Sequence, residues 1–190
     1  MRYLVLSDIH GGIAELQQAL SFREELECDA VILLGDLLNH GPRNGIPASY
    51  QPPEVINCLN QLSDQIISVR GNCDGEVDGM MFDFPCNAPY GSVLMKVKGR
   101  IIRIFLTHGH LHPCRTVEQQ RKLGLKDGDV VLSGHTHISG IFPLEGGVVN
   151  INPGSTTLPK GGTLAGFATL SEDGVFLYTL TGQNFAAYRF

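Results

Sequence analysis

Three short apolar runs, Tyr3 to Leu6, Ala30 to Leu34 and Ile66 to Val69, alternate with segments of helical spacing. Between the first two, Ile13, Leu16 and Leu20 recur at helical intervals among Glu, Gln and Ala. Between the second and third, Pro52-Pro53 opens a segment that carries Val55, Ile56, Leu59 and Leu62 on one face. Proline suits the first turn of a helix, because the N–H it lacks has no helical partner there. Strand, helix, strand, helix, strand leaves few options. It predicts parallel strands joined by right-handed crossovers.

The rest of the chain changes character. Val93 to Val97 and Ile101 to Leu106 flank Lys98-Gly99, a hairpin signal. A helical stretch near Val117 to Leu123 is followed by strand candidates at Val130 to Leu132, Val148 to Ile151, Ala165 to Leu170, Val175 to Leu180 and Phe185 to Tyr188. Gly-rich turns such as Glu145-Gly146-Gly147 and Lys160-Gly161-Gly162 separate them. The simplest architecture is two sheets packed face to face with helices on the outer faces. A length of 190 residues suits one domain spanning 1–190.

Composition narrows the function classes. Hydrophobic residues make up 43% and charged ones 17%, as in a folded globular protein. No run approaches the ~18 apolar residues of a membrane span. The amino-terminal apolar run is too short for a signal peptide, so the expected location is cytoplasmic. Five cysteines without a CxxC pair predict reduced thiols, with neither a disulfide framework nor a zinc ribbon. A net charge of −5 with no basic block argues against long nucleic acid as a partner. It does not argue against a small anionic substrate, because bound metal cations reverse the local sign. Apolar residues in the carboxyl half suit either a core or an interface, which leaves homo-oligomerisation open.

The polar residues fall at strand ends. Asp8 and His10 follow the first strand, Asp36 the second and Asn72 the third. His108 follows the strand ending in IFLT, and His135 and His137 follow VVLS. In an open α/β sheet, ligands bind outside the carboxyl ends of the strands. Taken singly, each Asp or Asn also reads as a cap or turn former, and each His as an exposed loop residue. Together they are two carboxylates, one carboxamide and four imidazoles delivered by five segments. Such a mixed N/O set suits first-row divalent cations. Seven ligands are too many for one cation with open positions, and they serve two if one carboxylate bridges.

The segments DIH (Asp8 to His10), GD (Gly35-Asp36), GNCD (Gly71 to Asp74), THGH (Thr107 to His110) and GHTH (Gly134 to His137) resemble the signature of the calcineurin-like metallophosphoesterases. The stretches NHGPRN (Asn39 to Asn44), VRGNCDGEVD (Val69 to Asp78) and NPGS (Asn152 to Ser155) are similar, more narrowly, to the small bacterial YfcE-like phosphodiesterases. The resemblance implies an α/β fold, a four-layer α/β/β/α sandwich of two mixed β-sheets flanked by helices. It implies that Asp8, His10 and His137 hold one metal, Asn72, His108 and His135 the second, and that Asp36 bridges. The expected cofactors are two divalent ions, Mn2+ first, with Zn2+, Fe2+ or Ni2+ as alternatives.

The activity so implied is hydrolysis of small phosphodiesters, by attack of a hydroxide shared between the two metals. Many family members carry a substrate-facing His after the Asn; here Cys73 stands in that place. A thiol supplies no positive charge, so the site should favour a singly charged diester over a monoester dianion. Arg43 and His40, in the loop after Asp36, are substrate-contact candidates along with Cys73. Asn72 and His110 are candidate catalytic residues, His110 either facing the reaction or orienting a ligand; His112 reads as a loop residue. The alternatives are a phosphomonoesterase or protein phosphatase, or an inactive scaffold with the same fold.

Overall fold

A computed structural model describes residues 1–190. The first three strands, β1 (Tyr3–Leu6), β2 (Ala30–Leu33) and β3 (Ile66–Ser68), are parallel neighbours. Helices α1 (Ile13–Glu25) and α2 (Pro52–Asn60) make the crossovers. After α3 (Glu76–Met81) the chain builds a second sheet. Its strands are β4 (Tyr90–Val97), β5 (Arg100–Thr107), β6 (Val130–Ser133), β7 (Gly140–Pro143) and β8 (Val149–Asn152), with α4 (Val117–Lys122) between β5 and β6. That sheet has the order β4-β5-β6-β8-β7, parallel in the middle and antiparallel at both edges.

The last three strands are β9 (Gly166–Ser171), β10 (Gly174–Thr179) and β11 (Asn184–Arg189). They return to the first sheet. β9 pairs antiparallel with β1, giving the order β11-β10-β9-β1-β2-β3. Both sheets are therefore mixed, and they stack as the inner layers of an α/β/β/α sandwich. The Lys98-Gly99 hairpin joins β4 to β5, as its sequence predicts. Helix α3 and strand β7 were not expected. α3 has only six residues and no buried side chain, and β7 is an edge strand that ends in Pro143, so neither has an apolar periodicity to read.

The alternation of β1 explains its central position. Tyr3 and Val5 enter the core between the sheets with Ile32, Ile104, Leu132, Ile151 and Leu170. Leu4 and Leu6 point the other way, onto Leu16 and Ala19 of α1 and Val55 and Leu59 of α2. A strand buried on both faces reads as a continuous apolar run. Each such Leu or Val contributes about 1.5–3 kcal/mol when fully buried. On the far face of the second sheet, Phe105 and Val131 pack with Cys114, Leu125 and Val148. All five cysteines are unpaired. No helix is long and apolar enough to cross a membrane.

Candidate metal centre

The carboxyl ends of β1, β2, β3, β5 and β6 meet along one edge of the sandwich. Each strand is followed by a sharp reversal that turns the next polar side chain back toward its neighbours. Five of the seven expected ligands sit in the left-handed backbone region: Asp8 (φ 52°), His10 (48°), Asp36 (56°), His135 (68°) and His137 (58°). That conformation costs a non-glycine residue roughly 1–2 kcal/mol. Strain of this kind gathers where function demands a geometry that packing must hold. Two glycines let the loops after β2 and β3 touch. A Cβ on Gly35 would lie 2.4 Å from the Gly71 nitrogen, and one on Gly71 would lie 2.1 Å from Asp36 Oδ1.

The side chains converge. Asp8 Oδ1 lies 3.2 Å from His137 Nε2, 3.7 Å from His10 Nε2 and 3.9 Å from His108 Nε2. Asp36 Oδ2 lies 3.3 Å from His108 Nε2 and 3.8 Å from His10 Nε2. The ligand atoms of Asp8, His10 and His137 all fall within 4.8 Å of one another, as do those of Asp8, Asp36 and His108. Asn72 Oδ1 is 3.0 Å from His108 Nε2. The His135 ring stands 5.2 Å from that of His108. One edge thus gathers all seven residues.

Their protons decide what this cluster can hold. Nδ1 of His10 faces the Asn39 carbonyl at 2.6 Å, that of His108 the Leu34 carbonyl at 2.8 Å, and that of His137 the Leu158 carbonyl at 2.6 Å. A carbonyl only accepts, so each Nδ1 carries a proton, and each ring in its neutral form turns a lone pair inward through Nε2. Yet His10 Nε2 and His137 Nε2 are 3.1 Å apart, and His108 Nε2 faces the Asn72 oxygen. Asp8 Oδ1 is fully buried without a hydrogen-bond partner. Lone pairs aimed at lone pairs, beside an unpartnered buried carboxylate oxygen, fit a divalent cation bound by mixed N/O donors.

Protons compete with a cation for those Nε2 lone pairs. Burial pushes the Asp8 carboxyl up, but the adjacent His10 and His137 rings and the charge of His108 outweigh it and hold the group well below the usual range. Burial opposes charge on His108 too, and the Asp36 hydrogen bond with the Asp8 charge overrides it, raising that ring to about 9. Cys73 goes the other way. Burial and the neighbouring Asp36 carboxylate push its thiol up to about 12, so it stays protonated and uncharged.

Residues outside the ligand set hold it in shape, and several were not legible as functional. Asp74 accepts backbone N–H groups from Asp36 (2.8 Å), Leu37 (2.8 Å) and Gly71 (2.7 Å), tying the loop after β2 to the loop after β3. The second oxygens of the ligand carboxylates are fixed as well. Asp8 Oδ2 accepts from Ser7 Oγ and the His135 nitrogen, and Asp36 Oδ1 from the Cys73 nitrogen. The NPGS segment gains a role here. Asn152 donates to the Gly134 carbonyl, and Ser155 Oγ donates to the Asp8 carbonyl, clamping the ends of β6 and β1 together.

A cleft of about 660 Å3 opens beside the ligands, lined by Asn39, Arg43, Asn44, Asn72, Cys73 and Lys160 among others. Arg43 and Cys73, two of the expected substrate contacts, line this cleft, and Lys160 joins them. Its PKGG context reads in the sequence only as a turn. His40 does not line the cleft; its ring packs edge-on against Tyr50. His110 packs against the rings of His108 and His135, and His112 against Tyr90. A larger groove of about 820 Å3 near the end of α1 contains none of the ligand set.

Residues 1–174 match the model of the calcineurin-like phosphoesterase superfamily domain. The chain belongs to that superfamily. It is 37% identical over 187 residues to phosphodiesterase YfcE of Escherichia coli (strain K12), covering 98% of this chain and 96% of that protein. The solved structure of the E. coli phosphoesterase Yfce superposes with a TM-score of 0.88, covering 100% of this chain and 99% of the other. A probable metallophosphoesterase of Methanothermobacter thermautotrophicus is 48% identical over 186 residues, covering 96% of this chain and 88% of the relative. Vps29 of Chaetomium thermophilum has a TM-score of 0.61 at 17% identity, covering 100% of this chain and 97% of that one, a likeness of fold alone. The four-layer arrangement expected from the motifs is the arrangement found.

Proposed function

We propose that this member of the phosphoesterase superfamily hydrolyses small phosphodiesters in the cytoplasm, with two divalent cations and with residues 1–190 acting as one domain. The observation that carries the reading is the set of buried imidazoles whose Nδ1 protons are committed to backbone carbonyls while their Nε2 atoms converge on Asp8 and Asp36. The likeness to phosphodiesterase YfcE over nearly the whole chain supports the diester.

Asp8, His10 and His137 would hold one cation and Asn72, His108 and His135 the other. Asp36 Oδ2, flanked by His10 and His108, is the oxygen suited to lie between them. Bound divalent cations supply positive charge that polarises a phosphoryl oxygen and acidifies water. Two carboxylates, a carboxamide and four imidazoles, with no thiolate required, accept first-row divalent ions from Mn2+ to Zn2+, and Mn2+ is the ion proposed.

The chain's own residues bind and orient. Arg43 lines the cleft and offers a planar fork to an anionic group of the substrate. Cys73, protonated and uncharged, adds nothing to neutralise a second negative charge, so a monoester dianion is held less well than a diester. Asn72 Nδ2 donates to the Cys73 sulfur at 3.1 Å, which turns Asn72 Oδ1 toward His108. His110 lies against two ligand rings with its Nδ1 sealed from solvent, which supports a role in holding those rings rather than in moving protons. Lys160 replaces His40 as the second cleft contact.

The test is turnover of bis(p-nitrophenyl) phosphate and p-nitrophenyl phosphate, with added Mn2+ and after chelation. The diester should be the faster substrate, and chelation should abolish its turnover. A faster monoester would refute the diester preference. Turnover that survives chelation would refute the metal centre, and no response to Mn2+, Ni2+ or Zn2+ would favour a scaffold.

A further inference from the structure

The cleft holds more positive charge than one phosphodiester uses. Arg43 enters it from the loop after β2 and Lys160 from the turn between β8 and β9. Both side chains lack a protein partner; the one pairing of a Lys or Arg with a side-chain carboxylate is Lys122–Glu118 on α4. The chain has 14 Lys and Arg among 190 residues and a net charge of −5, so two unpaired cations among eleven cleft residues run against its composition.

The turn that carries Lys160 is built onto the site. The Lys160 nitrogen donates to the His137 carbonyl at 2.9 Å. Thr163 donates back to the Lys160 carbonyl through its nitrogen (3.1 Å) and its hydroxyl (2.8 Å). Leu158, two residues earlier, accepts the His137 Nδ1 proton. The Lys160 stem is therefore tied through its backbone to a ring of the ligand set. The opposite need is missing: Cys73 and Pro42 are the only weakly polar side chains of the lining, and no Phe, Tyr or Trp lies there on which a nucleobase could stack.

We propose that Arg43 and Lys160 form a clamp for a second anionic group, so that the preferred substrates are small phosphodiesters in which one esterified alcohol carries a carboxylate or a phosphate. This rests on the diester reading above. The phosphodiester anion faces the cation-binding edge, and the anionic arm lies along the cleft, where Arg43 gives a bidentate contact and Lys160 a point charge.

The experiment compares four p-nitrophenyl phosphodiesters in Mn2+, with the second alcohol being glycolate, ethylene glycol monophosphate, choline or thymidine. Both anionic arms should exceed the choline arm in kcat/KM by about tenfold or more, and the ratio of glycolate to monophosphate says which anion is preferred. Lys160→Gln should lower the anionic-to-choline ratio about tenfold, one charge-assisted contact. Lys160→Arg should keep most of it. An unchanged ratio in Lys160→Gln, or thymidine as the best arm, overturns the proposal. The same variants are titrated calorimetrically with monomethyl phosphonoacetate and with monomethyl methylphosphonate, neither of which carries a hydrolysable phosphodiester. Wild type should bind the carboxylate-bearing compound more tightly, and Lys160→Gln should narrow that gap. A gap without turnover of any ester refutes the diesterase and keeps the clamp; turnover without a gap refutes the clamp and keeps the diesterase.

Discussion

Replacing Asp74 with Ala removes a carboxylate that accepts three backbone N–H groups at 2.7–2.8 Å, two on Oδ2 from Asp36 and Gly71 and one on Oδ1 from Leu37. A hydrogen bond to a charged group is worth about 1.5–3 kcal/mol, so three give roughly 5–9 kcal/mol gross. Two effects reduce this. Burial pushes the Asp74 carboxyl up despite the bonds it receives, so desolvation offsets part of the gain. The position is also only partly shielded, and water can reach some of the freed N–H groups. We expect Asp74→Ala to cost about 3 kcal/mol. Asp74→Asn should cost less, about 1–3 kcal/mol, because the amide oxygen can take the two-bond position and leave its NH2 against Leu37. Urea unfolding in chelator measures this free of metal linkage. Mn2+ affinity by calorimetry should fall roughly 10–100-fold, as for other partners that orient ligands. If Asp74→Ala unfolds within about 0.5 kcal/mol of wild type and binds Mn2+ equally well, the two loops do not depend on this carboxylate and the reasoning fails.

Asp36→Asn keeps an oxygen for the Cys73 nitrogen but loses the charge that faces His10 and His108; metal content should drop below two ions per chain and activity should be lost, and full activity with two ions would rule out the bridge. Gly134→Ala puts a Cβ 1.9 Å from Ser7 Oγ and 2.6 Å from Asp8 Oδ2, which should cost about 1–3 kcal/mol in unfolding experiments and weaken Mn2+ binding; an unaltered variant would mean this packing is slack. Burial pushes the Cys28 and Cys114 thiols up to about 11 from an unfolded value of 9.0. Native protein therefore holds these protons more tightly, and the stability they contribute is full below pH 9 and lost as pH rises through about 11. Alkylation at pH 8 should spare both residues until the chain unfolds; rates like those of a free thiol would contradict their burial.

The ligands were legible because their signal is positional. Asp8, Asp36, Asn72 and His108 each stand within a few residues of a strand end, and apolar runs make strand ends readable. Their supports were not legible. Ser155 Oγ reaches the Asp8 carbonyl across 147 positions of chain, and no local pattern links the two. Asp74 acts on backbone N–H groups, which every loop has, so its residue type alone says nothing about its partners. The left-handed turns at Asp8, His10 and His137 were hidden because glycine, the residue that advertises such a backbone, is absent from those positions. The late strands β9 to β11 had a readable alternation, but periodicity does not say which sheet edge a strand joins. That was decided by β1, whose free side takes β9.

The most direct test of the central claim is an anomalous difference map from crystals grown or soaked with Mn2+. The account predicts two peaks roughly 3.5–4 Å apart, with Asp36 between them. His10 and His137 should lie beside one peak, and His108, His135 and Asn72 beside the other. A single peak, or peaks that leave Asp36 outside the coordination of either ion, would contradict it.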